Sequence, residues 1–211
     1  MSKTVVLNAS PRNNWNTAHL LREAMEGACA AGASVQYYDL YELDFSGCRS
    51  CMACKKIGSA NCKCYWKDDL SPVLDEIFSA DSLIIGSPIY LGDLSCAFHA
   101  VLERMAFVTL SYNDYSCKYK GHLNVGVILT MNAPEVYYAQ HYKNDIEKKL
   151  DYFRLFNGKL EITPVYDTLQ VEDYSKYELG YWSEADKRMV HERRFPEDLK
   201  RAFEMGNKLS R

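Results

Sequence analysis

The stretch Thr4 to Thr17, reading TVVLNASPRNNWNT, constrains this chain more than any other. Thr4 to Leu7 is a short β-branched, apolar run of the kind buried on both faces of a parallel sheet. From Ala18 onward, apolar residues recur at Leu20, Leu21, Ala24, Met25 and Ala28, which is helical spacing. A buried strand therefore runs into a helix through one polar loop, Asn8 to Asn16. That loop gathers Ser10, Arg12, Asn14 and Asn16, with Thr17 behind them, where the free N–H groups of a helix start point outward. Such a corner seats an anion. The short hydroxyls donate without filling the space, and Arg12 brings a full charge on a forked donor that suits phosphate oxygens. Taken alone, the same residues also read as a turn at Pro11 before a helix capped by Asn16 or Thr17.

The alternation continues along the chain. Gly32 closes the first helix, and Ser34 to Leu40 reads as a second strand. Asp68 and Asp69 have the look of a cap and first-turn acid for a helix through Val73, Leu74, Ile77 and Phe78. Ala80 to Ser87 is a third buried strand. Pro88 to Leu94 is the loop after it, and Ser95 opens a helix with Phe98, Val101, Leu102 and Met105 on one stripe. A fourth strand is expected from about Asn124 to Thr130, then a loop from Met131 to Tyr138. A helix follows near Asp145 to Phe156 and stops at Asn157 and Gly158, with a fifth strand from Leu160 to Tyr166. Glu172 to Glu192 is charged, aromatic and weakly periodic, and reads as extended surface chain or partner interface. Pro196 at a helix start, with Leu199, Ala202, Phe203 and Leu209, predicts a closing helix.

Strands alternating with helices imply right-handed crossovers and a parallel sheet. The expected class is α/β, a flavodoxin-like doubly wound sandwich whose five-stranded parallel sheet has the order 2-1-3-4-5. Its ligand crevice would lie beyond the carboxyl ends of the first and third strands. With 211 residues and no Gly/Ser/Pro-rich linker, one domain over 1–211 is expected, with a Cys-rich loop at 45–65 and a C-terminal extension from about 167.

Phe45 to Tyr65 breaks the alternation and carries Cys48, Cys51, Cys54, Cys62 and Cys64. Thiolates repeated in a tight loop suit an iron–sulfur cluster or zinc, since each soft ligand must reach one centre from a short, turning backbone. The CxxCxxC run favours a cubane over zinc, whose knuckles pair two CxxC units across a longer spacer. Bare thiols are the other alternative. Cys29, Cys96 and Cys117 read as packing or incidental thiols, and none of His19, His99, His122, His141 or His191 falls at ligand spacing.

Three segments carry a family resemblance. SPRNNWNT resembles the GSPRxxGNT phosphate loop of the NADPH-dependent FMN reductase group of flavodoxin-like proteins, with Ala9 and Trp15 where that pattern has glycine. A tryptophan at the second position narrows the left-handed conformations open to the loop. GSPIYLGDLS, from Gly86 to Ser95, is similar to the segment with which such reductases hold the isoalloxazine ring. The cysteine run resembles the compact motif of the iron–sulfur flavoproteins.

The resemblance implies an FMN cofactor held by Ser10, Arg12, Asn16, Thr17, Pro88, Ile89, Tyr90, Leu91, Gly92 and Ser95; Asn14 joins them from the same polar loop, and Thr130 with Met131 by position after the fourth strand. It also implies a 4Fe-4S cluster on Cys48, Cys51, Cys54 and Cys62, for which Cys64 is an alternative fourth ligand. NADPH or NADH would be the electron donor, and a quinone, a flavin or a one-electron acceptor the recipient. No side chain need act as an acid or base, because the flavin performs the chemistry. FMN is expected over FAD, since no GxGxxG turn is present. A non-catalytic FMN-binding redox sensor and a flavodoxin-like electron shuttle are the rivals.

Composition bounds partners and compartment. A net charge of −3 with 25% charged residues points to neither a nucleic-acid nor a membrane surface. The first strand begins almost at Met1, which leaves no room for a signal peptide and makes the cytoplasm the expected location. There, eight cysteines are ligands, redox groups or core thiols before they are disulfides. Sixteen tyrosines and the aromatic stretch from Tyr166 to Trp182 predict a homodimer or higher homo-oligomer.

Overall fold

A computed structural model describes residues 1–211. Five parallel strands, β1 (Lys3–Asn8), β2 (Ser34–Asp39), β3 (Ser82–Tyr90), β5 (Leu123–Thr130) and β6 (Asn157–Val165), lie in the order β2-β1-β3-β5-β6. This is the flavodoxin-like arrangement. The sheet differs from the expected one by a sixth strand, β4 (Asp93–Leu94), which turns back and pairs antiparallel with β3 at Ile89 and Tyr90. The reversal is made at Leu91 and Gly92, both at positive φ (+51° and +86°). The segment expected to be all loop is thus a short hairpin at the rim of the crevice.

Alternation along the central strands divides the core. Val6, Ile84 and Ile128 point to one layer, built from α1 (Asn16–Ala30) and α6 (Glu184–Leu209). Leu7, Leu83, Ile85, Val127 and Leu129 point to the other, built from α2 (Leu70–Phe78), α3 (Cys96–Thr109) and the segment up to Phe156. The α1 and α6 backbones touch through two glycines. A Cβ at Gly206 would stand 1.8 Å from the Ala24 carbonyl oxygen, and one at Gly27 would stand 2.0 Å from that of Phe203.

The long-range packing moves several boundaries. The loop expected from Met131 to Tyr138 instead enters a short helix, α4 (Glu135–His141), and the helix expected from Asp145 to Phe156 is α5 (Lys143–Leu150) followed by a 3-10 stretch, Asp151–Phe156, that ends at Asn157 with φ +63°. The closing helix starts at Glu184, not at Pro196. Ser183 caps it by accepting from the Asp186 N–H (3.3 Å), and Pro196 lies inside it. Proline forfeits one backbone bond there. Burial of Phe195, Ala202, Met205 and Leu209 against α1 and the sheet offsets that loss. At the head of α2, Asp69 is the residue before the helix and makes no side-chain cap, while Asp68 Oδ1, one residue earlier, accepts from the Ser71 N–H at 3.1 Å. Asp69 instead accepts from the Asp44 N–H at 2.8 Å. No helix is long and apolar enough to cross a membrane.

Candidate functional site

The loops after β1, β3 and β5 meet beyond the carboxyl ends of those strands around a cavity of about 120 Å³. Ser10, Arg12, Asn16 and Thr17 line one side, Pro88, Ile89 and Tyr90 another, and Thr130, Met131 and Asn132 a third. Eight of the twelve flavin-site positions expected from sequence share this one lining. The adjacency follows from the sheet order, which sets β1, β3 and β5 side by side.

One side of the cavity is built from the start of α1. That helix has no acidic residue in its first turn and no side-chain cap, so none of its own side chains occupies its leading N–H groups. Ser10 is buried, and its Oγ accepts from the Arg12 N–H at 3.2 Å. Thr17 Oγ1 and Thr130 Oγ1 lie 2.7 Å apart and tie the first and third loops together. Trp15 sits at φ −141°, extended backbone open to any residue, so the loop does without the glycine of the family pattern.

The indole has a use of its own. Its Nε1 donates to the Leu169 carbonyl (3.0 Å), Asn16 Nδ2 donates to the same oxygen (2.8 Å), and Arg12 Nη1 donates to the Gln170 carbonyl. Thr168 to Gln170, just after β6, thereby lies as a strap along the cavity. The sequence reading missed Trp15 as an anchor, and missed Asn132, Thr168, Leu169 and Gln170 altogether. No local signal marked them, because the strap reaches the loop across more than 150 positions of chain.

Four expected residues fall outside the lining. Asn14 turns away, its Oδ1 accepting from Arg22 Nη1 (3.1 Å) and within 3.2 Å of His19 Nε2. Leu91 is fully exposed at the hairpin tip, and Gly92 leaves room for the Tyr142 ring, which a Cβ would approach to 2.8 Å. Ser95 is buried as a brace: its Oγ accepts from the Phe98 N–H (3.3 Å) and donates to the Ala9 carbonyl (2.6 Å).

The lining suits FMN on two observations. Asn132 Oδ1 and Gln170 Oε1 are buried side-chain oxygens without a hydrogen-bond partner, and both residues face the cavity. Opposite the donors, Ile89, Tyr90 and Met131 offer the apolar and aromatic surface a flat ring requires. Tyr90 is half-exposed, and burial raises its phenol above the ordinary range against the opposing pull of Arg12.

The cysteine loop packs between α2 and α3. All eight cysteines are free thiols, and no three of the His, Cys, Asp or Glu side chains are gathered closely enough to hold a metal ion. Cys48, Cys51, Cys54 and Cys64 line one small cavity with Met52, Trp66, Phe107 and Val108, whereas Cys62 is not part of it. Burial, with Cys117 adding to it, pushes the Cys62 thiol up to about 11. Arg104 stands in the cavity wall, 2% exposed, and holds Asp68 through two bonds (Nη1 to Oδ2, 2.7 Å; Nη2 to Oδ1, 3.0 Å). Its Nε is buried without a partner. Burial opposes the Arg104 charge, but Asp68 and the neighbouring Cys64 sulfur prevail and hold its pKa above the ordinary value.

A sequence model of the family described as NADPH-dependent FMN reductase matches residues 2–133. An iron–sulfur flavoprotein of Methanocaldococcus jannaschii is 31% identical over 102 residues, 48% of this chain and 51% of its own. An FMN-dependent NADH:quinone oxidoreductase of Mycoplasmoides gallisepticum is 27% identical over 151 residues, 66% of this chain and 73% of its own. The chain spans about half the length of the first of the curated relatives it matches. Among solved structures, an NAD(P)H:quinone oxidoreductase from Methanothermobacter marburgensis superposes with a TM-score of 0.72 at 16% identity, covering 100% of this chain and 98% of that one. A Bacillus anthracis azoreductase gives 0.67 at 13% identity, covering 99% and 100%. These two likenesses establish the fold.

Proposed function

The chain belongs to the NADPH-dependent FMN reductase family, and from that premise we propose that it is an FMN-dependent NAD(P)H oxidoreductase. It would pass electrons from NADPH or NADH to a quinone, a flavin or a one-electron acceptor. The observation that carries this reading is the single cavity in which Ser10, Arg12, Asn16 and Thr17 face Ile89, Tyr90 and Met131. FMN, when bound, supplies the hydride chemistry.

The chain's own residues do the holding. Ser10, Thr17 and the free N–H groups of α1 donate to the phosphate. Arg12 and Asn16 exchange the strap carbonyls for phosphate oxygens, which are the stronger acceptors. Asn132 and Gln170 present acceptors to the polar groups of the cofactor. No proton donor is assigned.

Thiols lining one cavity beside Arg104 support a second redox centre, an iron–sulfur cluster on Cys48, Cys51 and Cys54 with a fourth cysteine of the same loop. Such a centre, when assembled, supplies one-electron transfer. The 31% identical iron–sulfur flavoprotein supports the same reading, and the location that goes with it is a reducing, cytoplasmic one, in which thiols stay free.

Anaerobic addition of NADPH or NADH to the purified yellow protein should bleach its flavin absorbance, and a quinone should restore it over repeated cycles. Flavin that stays oxidised with both nucleotides would sink the enzyme in favour of a sensor or shuttle.

We also infer a homo-oligomer, most simply a symmetric dimer. Leu91 at the hairpin tip is fully exposed, and Val136 and Tyr137 on α4 are exposed as well. Tyr142, which Gly92 abuts, stacks edge-on against Tyr137 with ring centroids 5.2 Å apart, so this apolar surface is continuous with the hairpin. Light scattering should return a multiple of 24.2 kDa; the monomer mass at every concentration would remove the inference.

A further inference from the structure

Lys187 is a buried cation that the cavity lining does not include. It lies near the start of α6, the end at which a helix dipole disfavours positive charge, and its side chain is only 6% exposed. Its ammonium donates to the Asn132 carbonyl (2.6 Å) and to Asp167 Oδ1 (2.7 Å), and it lies 4.4 Å from the centre of the Trp182 ring. A buried ammonium is costly unless it is paired and hydrogen-bonded, which these three partners achieve. For packing alone, an apolar side chain of similar volume would serve at less cost.

Both hydrogen-bond partners belong to the walls of the cavity described above. Asn132 lines it, with Oδ1 buried and unpartnered. Asp167 sits at φ +55° and swings the chain from β6 into the strap, whose Thr168, Leu169 and Gln170 also line the cavity. Left-handed backbone at a residue other than glycine persists where the surroundings hold it. Two backbone bonds already lace these segments together, from the Asp167 N–H to the Ala133 carbonyl (3.2 Å) and from the Thr168 N–H to the Met131 carbonyl (3.0 Å). Lys187 adds a third tie from behind the lining, and a charged one.

We propose that Lys187 is a positioning residue for the cofactor: by clamping the Asn132 carbonyl to the Asp167 turn, it fixes Asn132 and the strap as a preformed wall that accepts hydrogen bonds from FMN. The inference rests on the reading that this cavity holds FMN. It also gives a task to the charged, aromatic segment from Glu172 to Glu192, which supplies both Lys187 and Trp182. Lys187 acts only through its partners. A wall that is ordered before the ligand arrives spares the cost of ordering it on binding, so the clamp raises affinity without touching the cofactor.

The test uses the full-length protein, stripped of flavin and titrated with FMN, in the wild type, Lys187→Met, the double variant Lys187→Met with Asp167→Asn, and Met205→Ala. The double variant leaves no carboxylate stranded, so it serves where the single one fails to fold. Met205 packs against Gly126 near the other end of α6 and is the control for a loosened helix. FMN affinity, the visible circular dichroism of the bound flavin and the urea stability of the apoprotein are read in each. Both Lys187 variants should raise the Kd about ten-fold, within the range for members of one hydrogen-bond network, and should change the flavin dichroism. Met205→Ala should lose stability while keeping the wild-type Kd and dichroism. Lys187 variants that lose stability alone, or that do not fold even in the double change, overturn the positioning role. So does a Met205→Ala protein whose Kd and dichroism shift as far as theirs. A wild type that binds no FMN marks the failure as that of the cofactor reading itself, and the clamp falls with it.

Discussion

Asp68→Ala should lower folding stability at neutral pH by about 3 to 5 kcal/mol, the scale for stranding one partner of a buried ion pair. Arg104 and Asp68 have side chains only 2% and 9% exposed. The pair is bidentate, and Ser71 adds a backbone N–H (3.1 Å) and a hydroxyl (3.1 Å) to Asp68 Oδ1. The arginine also reaches the Ser46 carbonyl (3.0 Å), so one ion pair fastens the start of the cysteine loop, the head of α2 and the middle of α3. Without Asp68, a guanidinium remains buried with no counter-charge.

The pH dependence has a definite sign. Burial works to raise the Asp68 pKa, but Arg104 and the Ser71 hydroxyl outweigh it and hold the carboxyl below its ordinary value. The stabilisation is therefore fully present above the unfolded carboxyl pKa of about 3.9 and disappears as the pH falls through the lower folded value. Urea unfolding should show the full gap between wild type and variant at pH 7 and a shrinking one in acid. Equal stability at pH 7 would mean that the pair is idle. The double change Asp68→Leu with Arg104→Met should recover much of the loss, because it leaves no charge behind.

The second large effect is on cofactor affinity. Arg12→Ala should weaken FMN binding by about 1.5 to 3 kcal/mol, the usual worth of a hydrogen bond to a charged group, which is roughly a 10- to 150-fold rise in Kd. Arg12 is the sole cation in the cavity lining, and α1 offers the phosphate only partial charges from its N–H groups. Its guanidinium lies 5.8 Å from the centre of the Trp15 ring and bonds the strap, so it is poised at the mouth of the site. Flavin-fluorescence titration of the apoprotein measures the change. Riboflavin, which lacks the phosphate, is the control: its affinity should hardly move, and the preference for FMN over riboflavin should shrink. A variant that keeps that preference would refute the phosphate assignment. Arg12→Lys should recover part of the loss as a point charge without the fork.

Much of this architecture was legible before any coordinates. Thr4 to Leu7, Leu83 to Ile85 and Val125 to Leu129 are short, mostly apolar runs that suit strands buried on both faces. The polar loop between Asn8 and Thr17 stands out through its residue types alone. Those are local signals, and the structure keeps them: Ser10, Arg12, Asn16, Thr17, Pro88, Ile89, Tyr90 and Thr130 share one lining. Where a short-range cue misled, a distant partner was responsible. Pro196 reads as a helix start, but the α1 surface holds the helix together through it. Asn14 is turned out of the cavity by nearer partners, His19 and Arg22, one and two turns into α1, which engage its side-chain oxygen.

What the sequence determined by itself was the order of strands and helices and the residue types at the mouth of the crevice, because periodicity and loop chemistry are properties of neighbours along the chain. What the tertiary structure decided was orientation. The strap from Thr168 to Gln170 lies over a loop some 150 residues earlier. The buried oxygens of Asn132 and Gln170 face the cavity. Cys64 rather than Cys62 looks toward Cys48, Cys51, Cys54 and Arg104. Spacing counts the residues between two thiols, but the face each one presents is set by backbone dihedrals and by what packs against the loop. Both of those depend on segments that meet only when the chain has folded.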